Sequence, residues 1–339
     1  MRIAIVTDAW HPQVNGVVRT YENTVATLRA AGHSVQIFSS SAFTNVPCPT
    51  YPSIRIAVWP GAKLQRMLDA FDPQAIHIAT EGPCGLAARH YCLRQRRAFT
   101  TSFHTQFPEY IRARVPVPID WSYAWLRRFH RPARCTLVPT PSQRDRLQAR
   151  GFSGLTLWPR GVDTRVFNPD TRAPLQGPRP ISMYMGRVAV EKNIEAFLRL
   201  DLPGTQYVIG SGPDMDRLRK QFPNARFLGE KRGAELAAHV AAADVFVFPS
   251  RTDTFGVVLL EAMACGVPVA AFPVTGPLDV VEHGRTGYLD DDLERAIHNA
   301  LKIDPQTCID QARVHSWQRA TDIFLHNLVD ARPQRVMAA

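Results

Sequence analysis

Two carboxylates, Asp253 and Glu261, stand eight residues apart on either side of the step Phe255-Gly256-Val257. Carboxylates accept paired hydrogen bonds from vicinal hydroxyls, the pattern that a sugar or a ribose offers. A helix that begins near Phe255 leaves unsatisfied N–H donors at its start, and both acids then reach one pocket. Asp253 equally suits the cap of that helix. Glu261 is harder to place as a bystander. It interrupts the apolar run from Val257 to Ala264. Burying even a neutral polar group there without a partner costs roughly 2–7 kcal/mol. A ligand hydroxyl is the partner the spacing invites.

Cations stand where a diphosphate would need them. Gly186-Arg187 follows the apolar stretch Ile181 to Met185, and Lys192 comes five residues later. A guanidinium makes bidentate contacts to phosphate oxygens, and a lysine adds a compact charge. A helix opening near Lys192 would add N–H donors and a positive dipole end. Gly210-Ser211-Gly212 also follows a strand-like run, so Gly212 could admit a nucleotide backbone to backbone. Met215 occupies the place of the third glycine in a dinucleotide fingerprint, which argues against a dehydrogenase. His104 closes the strand-like Phe99 to Phe103, and Asp8 and Asn15-Gly16 follow the first apolar run, Ile3 to Val6. Each is placed for substrate contact, with a structural role as the alternative. No metal-ligand spacing occurs, so no metal and no cofactor is expected.

These groups need strands that end together. Strand-like runs at Ile3–Val6, Val35–Phe38, Ala75–Ile78, Phe99–Phe103 and Cys135–Val138 alternate with helix-like segments, the pattern of a parallel sheet. The alternation resumes at Ile181–Met185, Gln206–Ile209, Val245–Phe248 and Val267–Phe272. Between them, residues 169–180 collect Pro169, Pro174, Gly177, Pro178 and Pro180 and read as a linker. The expected plan is an α/β protein. It has a first domain over 1–168, a second over 181–315 and a last helix within 316–335. Ligands in such sheets bind beyond the carboxyl ends of the strands.

The 339 residues are 45% hydrophobic and 21% charged, ample for two cores. The net charge of +10 favours anionic partners. Nucleic acid is disfavoured, because no recognition helix, zinc module or RNA-binding aromatic motif accompanies the charge. The six cysteines show no paired spacing and read as reduced thiols. No signal peptide and no apolar run of spanning length are apparent.

Taken together, these motifs resemble those of the retaining family 4 glycosyltransferases of GT-B fold. The likeness extends from Thr7-Asp8-Ala9-Trp10-His11-Pro12 through Asn15-Gly16, Phe103-His104-Thr105 and Pro159-Arg160-Gly161-Val162-Asp163. It continues through Gly186-Arg187 with Glu191-Lys192 to the block from Asp253 to Glu261. The subgroup it looks most like contains sulfoquinovosyl-diacylglycerol synthases and GDP-mannose-dependent mannosyltransferases that act on lipids. The resemblance implies two doubly wound Rossmann-like domains facing across a cleft. It also implies that a hexosyl group moves from a UDP- or GDP-sugar. By it, Gly16 and Gly186 approach the donor, and Arg187 and Lys192 neutralise the diphosphate. Asp253 holds sugar hydroxyls and Glu261 the ribose. The N–H groups of Phe255, Gly256 and Val257 touch sugar or phosphate, and His104 lies near the reacting centre. The helix around Trp317 is implied to return to the first domain. The wider family has glutamate where Asp253 stands, and aspartate there matches the lipid-glycosylating subgroup.

The acceptor is read from the first domain. Tyr110, Arg112, Arg114, Trp121, Trp125, Arg127 and Arg128 interleave aromatic and basic side chains, with Asn15 as a further contact. That mixture suits docking on an anionic membrane surface. A lipid such as diacylglycerol is therefore the expected acceptor, and the inner face of the cell membrane the expected place, with the bulk of the protein cytoplasmic. A soluble or polyprenyl-linked saccharide acceptor, or a non-catalytic nucleotide-binding role, are the alternatives.

Overall fold

A computed structural model describes residues 1–13, 15–48, 51–112 and 118–332. The chain divides into two units, Met1–Pro159 with Trp317–Ala339, and Arg160–Ser316.

In the first unit, strands β1 (Arg2–Thr7) and β2 (Ser34–Ser39) flank helix α1 (Gly16–Ala30). A short hairpin follows, β3 (Asn45–Cys48) and β4 (Tyr51–Ala57), and then α2 (Gly61–Phe71). The chain continues through β5 (Ala75–Ile78), α3 (Pro83–Arg94), β6 (Thr100–Ser102), α4 (Phe107–Arg112) and α5 (Ile119–His130). It ends with β7 (Thr136–Val138), α6 (Pro141–Ala149) and β8 (Leu155–Leu157). The main sheet is parallel, in the order β2-β1-β5-β6-β7-β8. Strand side chains alternate between faces. Ala4 and Val6 therefore meet Leu64 and Leu68 of α2 and Cys84, Ala88 and Tyr91 of α3. Ile3 and Ile5 meet Tyr21, Val25 and Leu28 of α1 on the opposite face.

The second unit holds β9 (Ile181–Met185), α7 (Ile194–Leu198), β10 (Thr205–Ile209), α8 (Met215–Gln221), β11 (Arg226–Gly229), α9 (Gly233–Ala241) and β12 (Val245–Phe248). After these come α10 (Val257–Ala264), β13 (Val269–Ala271), α11 (Pro277–Val280), β14 (Gly287–Leu289), α12 (Leu293–Ala300) and α13 (Pro305–Arg313). Its parallel sheet runs β11-β10-β9-β12-β13-β14. Counted within the unit, that is the 3-2-1-4-5-6 order of dinucleotide-binding sheets, whose direction reverses between β9 and β12. The chain enters and leaves this unit side by side, since Val162 pairs with Ser316.

The linker and the division between the units differ from the sequence reading. Residues 169–180 are not a connector between units. They lie on the second unit, where Ala173 N–H donates to Ala238 O at 2.8 Å and Tyr207 Oη to Gln176 O at 2.6 Å. Phe167 is already part of that unit's core, so the division falls at Pro159. Helix α14 (Trp317–Asn327) packs within the first unit, with Phe324 beside Tyr21 and Trp158.

Candidate functional site

The strand order of the second unit brings the carboxyl ends of β9 and β12 together, although many residues separate them in sequence. Beyond β9 the backbone passes Gly186 and Arg187 and makes a tight 3-10 turn over Val190–Lys192. Beyond β12 it passes Pro249 and reaches Asp253. Lys192 Nζ donates to Asp253 Oδ1 at 2.5 Å, and the two side chains are only 19% and 18% exposed. Asn193 adopts the left-handed conformation at φ 53° and donates its Nδ2 to Pro249 O at 3.1 Å. Thr252 Oγ1 reaches Glu191 O at 3.4 Å. These bonds tie the two loops into one floor. Asp253 Oδ2 is buried without a hydrogen-bond partner among the described residues. An acceptor left in that state costs about 1–3 kcal/mol, which a ligand hydroxyl would recover.

Neighbouring loops pack against the backbone on either side of Arg187. A side chain on Gly210 would come within 1.8 Å of Gly186 O, and one on Gly212 within 2.1 Å of Val188 O. The loop after β10 therefore lies directly against the loop after β9. Val188 N–H donates to Ser211 O at 2.9 Å, which completes the seam. Gly256 begins α10 in the left-handed region, at φ 81°, with no side-chain cap. Asp253 is thus not the cap of this helix and keeps its carboxylate for Lys192. Glu261 lies in the second turn of α10, 4% exposed. The Cys265 thiol one turn later is pushed up to about 12, chiefly by burial and further by the charge of Glu261.

The first unit holds a second cluster. His104 follows β6, and its Nε2 lies 2.9 Å from Tyr21 Oη. Tyr21 Oη lies 2.8 Å from His77 Nε2 and donates to Ser102 Oγ at 3.2 Å. Ser102 Oγ lies 2.9 Å from His77 Nε2, and His77 Nδ1 lies 2.8 Å from Thr100 Oγ1. Complete burial pushes the His77 imidazole down to about 3, so it stays neutral at ordinary pH. Trp158 and Phe324 wall the cluster, with ring centroids 5.7 Å from Tyr21 and 4.8 Å from His77.

Comparison with known proteins agrees with this architecture. Residues 14–166 match the model for Glycosyltransferase Family 4, and residues 179–303 that for Glycosyl transferases group 1. The GDP-mannose-dependent alpha-mannosyltransferase of Mycolicibacterium smegmatis is 34% identical over 323 residues, 86% of this chain and 84% of the relative. The chain belongs to glycosyltransferase family 4. The alpha-monoglucosyldiacylglycerol synthase of Acholeplasma laidlawii is 24% identical, over 89% of this chain and 88% of that relative. Among solved structures, the sucrose-phosphate synthase of Thermosynechococcus elongatus superposes with a TM-score of 0.74. It is 20% identical and covers 96% of this chain and 97% of its own. The fold is therefore the GT-B arrangement of two Rossmann-like sheets.

The glycosyltransferase places its other candidate residues unevenly. Gly16 is the exposed first residue of α1, and a side chain added there would meet nothing within 4 Å. Asn15, expected at the acceptor, is instead the cap of α1: its Oδ1 accepts from Val17 N and Val18 N, each at 3.0 Å. Asp8, expected to reach substrate, instead accepts from Cys84 N at 2.8 Å and Thr80 Oγ1 at 2.8 Å, satisfying the start of α3. Burial raises its carboxyl above the usual range. The helix expected near Lys192 begins only at Ile194, because Asn193 breaks the backbone first. Phe255 is buried, and Val257 opens α10. Trp121, Trp125, Arg127 and Arg128 lie on the outer face of α5. Arg114 lies outside the described residues, as do the side chains of Tyr110 and Arg112. Sequence reasoning missed Tyr21, His77 and Ser102. The available signal was a histidine inside the otherwise apolar strand Ala75-Ile76-His77-Ile78.

Proposed function

We propose that this glycosyltransferase moves a hexosyl group from a UDP- or GDP-sugar to a membrane lipid acceptor such as diacylglycerol, with retention and without a metal ion. The observation that carries the lipid acceptor is the rim of the first unit. Helices α2, α3 and α5 pack on one face of its parallel sheet. Each leads back to the amino end of a strand, so their first turns lie at the sheet's carboxyl edge. Exposed apolar groups gather there. Trp59, just before α2, is 92% exposed, and Trp121 and Trp125 of α5 are 72% and 46% exposed. Leu86 of α3 and Phe107 of α4 join them. Lys63 and Arg66 are exposed near the start of α2, while Arg127 and Arg128 are exposed in the last turn of α5. Aromatic side chains set among cations match the interface of an anionic bilayer. Among the described residues no helix is long and apolar enough to cross a membrane. Attachment at the inner face of the cell membrane would be peripheral.

In the proposed reaction the bond from the anomeric carbon to the diphosphate oxygen breaks while the acceptor hydroxyl oxygen bonds on the same face. The hydroxyl proton passes to the departing phosphate oxygen, and the nucleoside diphosphate carries it away. Charge grows on the diphosphate, so the main task is electrostatic. Arg187 and Lys192 serve it, which supports independence from a metal. Asp253, with an oxygen to spare, takes a sugar hydroxyl, and Glu261 takes the ribose. N–H groups over Phe255 to Val257 and the open backbone of Gly16 approach the donor, and His104 lies near the sugar.

The test supplies the full chain with labelled GDP-mannose, UDP-glucose and UDP-glucuronate. Each is offered with vesicles of diacylglycerol and anionic lipid, or with soluble saccharides. Label in the lipid phase with an α-anomeric linkage is expected. Label only in soluble saccharide would overturn the lipid acceptor. Hydrolysis or transfer with none of them would favour a non-catalytic nucleotide binder.

A further inference from the structure

Several arginines of the second unit are paired with carboxylates, among them Arg179 with Asp244, Arg217 with Asp214 and Arg295 with Asp290. Arg251 is placed differently. Its guanidinium carbon lies 3.6 Å from the centroid of the Phe272 ring. At that separation an edge-on guanidinium would drive a nitrogen into the ring, so the group lies flat on it. Phe272 is 4% exposed and belongs to a core cluster, which fixes the platform. Arg251 itself is exposed. No carboxylate among the described residues pairs with it, since Asp253, two positions on, gives its Oδ1 to Lys192 instead. The stack covers one face of the guanidinium and leaves its in-plane N–H groups open to a ligand.

Both residues stand at the carboxyl edge of the second sheet, Arg251 in the loop that follows β12 and Phe272 immediately after β13. Strand β12 lies between β9 and β13. Lys192 reaches Asp253 from the β9 side, and Phe272 draws Arg251 toward the β13 side. The loop after β13 packs against the same wall. A side chain on Gly276 would come within 3.1 Å of Phe255 O and 3.2 Å of Asp253 O. A donor with its diphosphate at Arg187 and Lys192 and its sugar at Asp253 therefore turns the far side of that sugar toward Arg251. We infer that Arg251 is a specificity-determining residue, and that it selects a donor whose sugar carries a carboxylate, a uronosyl donor, over the neutral counterpart. This rests on the reading of Asp253 at the sugar. A planar carboxylate takes two parallel N–H bonds from one edge of a guanidinium, which a hydroxymethyl group cannot do. Lys192 compensates Asp253, so the added negative charge meets no uncompensated acid there. The stack holds the fork in place before the ligand arrives, and less freedom is lost on binding.

The experiment gives the full chain two matched pairs of donors, UDP-glucuronate with UDP-glucose and GDP-mannuronate with GDP-mannose. Within each pair only a carboxylate replaces a hydroxymethyl group. The readout is the ratio of kcat/KM between the two members, so a fraction of the protein that fails to fold does not alter it. With the base it uses, the native chain is expected to favour the uronate by ~10-fold or more. In Arg251→Gln that ratio should fall by ~10- to 100-fold, the usual effect of losing a hydrogen-bonded charge pair. Arg251→Lys keeps the charge without the fork, and its ratio should lie between the two. A native preference for the neutral donor, or an unchanged ratio in Arg251→Gln, overturns the proposal. So does an equal loss with both donors, which would assign Arg251 to the diphosphate. Transfer from none of the four would instead sink the transferase reading. Calorimetric binding of the same pairs then reads Arg251 without turnover: the uronate should bind more tightly to the native chain and lose that advantage in Arg251→Gln. Equal binding of both members by the native chain overturns the proposal there as well.

Discussion

Lys192 and Asp253 form an ion pair from which water is largely excluded, and each depends on the other. Removing one partner of such a pair leaves a charge that its surroundings no longer compensate. Lys192→Ala should therefore lower stability by about 1–3 kcal/mol. It should also cut turnover by ~100-fold or more, as expected for a group aimed at developing charge. Steady-state kinetics alongside thermal melts separate the two effects. Arg187→Ala is expected to lose turnover with little change in melting, since its side chain lies partly in solvent. If both variants turn over at native rates, the diphosphate is held elsewhere. At this scale the sequence singled out Glu261, because an acid in an apolar run stands out. It was misleading about Asp8 and Asn15. A carboxylate or amide that caps a helix has the same composition as one that waits for substrate. Only its distance to Cys84 N, or to Val17 N, tells the two apart.

Among the elements, α5 divides its faces between core and solvent. Tyr123, Leu126 and Phe129 are buried against the first unit, while Trp121, Trp125 and Arg128 face outward. Trp121 does little for folding, and its replacement by alanine should change stability by less than about 0.5 kcal/mol, whereas Trp125 also stacks on Phe129. On a bilayer the same side chains would bury surface worth roughly 1.5–3 kcal/mol each. Vesicle sedimentation should then show binding weakened by about tenfold or more per tryptophan. Binding of the native chain should fall as salt rises, because the arginine contribution is screened. Native-strength binding by Trp121→Ala/Trp125→Ala would remove α5 from the membrane surface. The helical spacing of these residues was readable beforehand. That Trp59 and Leu86 share their rim was not, since it follows from helices α2, α3 and α5 packing on one face of one sheet.

At the scale of the molecule, the two units differ in how the chain builds them. The second is one continuous segment, whereas the first needs α14 to return after it. Trp158 is fully buried, and its indole N–H donates to Ala320 O in α14 at 2.9 Å. Phe324 lies 5.0 Å from the Trp158 ring. Ending the chain after Ser316 would open the wall behind Tyr21 and His77. Calorimetry of that shortened chain should show one transition moved down by many degrees. A second transition should still rise when GDP or UDP is added, because binding to the folded form stabilises it. Loss of the nucleotide response together with the first transition would show that the second unit does not hold the donor by itself.

The sequence alone determined the alternation of strands and helices and the pair of sheets. Those properties are carried by periodicity and by residue chemistry within short windows. Tertiary structure decided everything that depends on which strands become neighbours. Lys192 meets Asp253 only because β9 and β12 adjoin where the sheet reverses. Residues 169–180 read the same by composition whether they span a gap or cover a core, and their hydrogen bonds to Ala238 and Tyr207 settled which. The polar cluster beside His104 draws Tyr21, His77 and Ser102 from three separate elements. The two-residue period of β5 turns His77 away from its apolar neighbours Ile76 and Ile78 and toward α1.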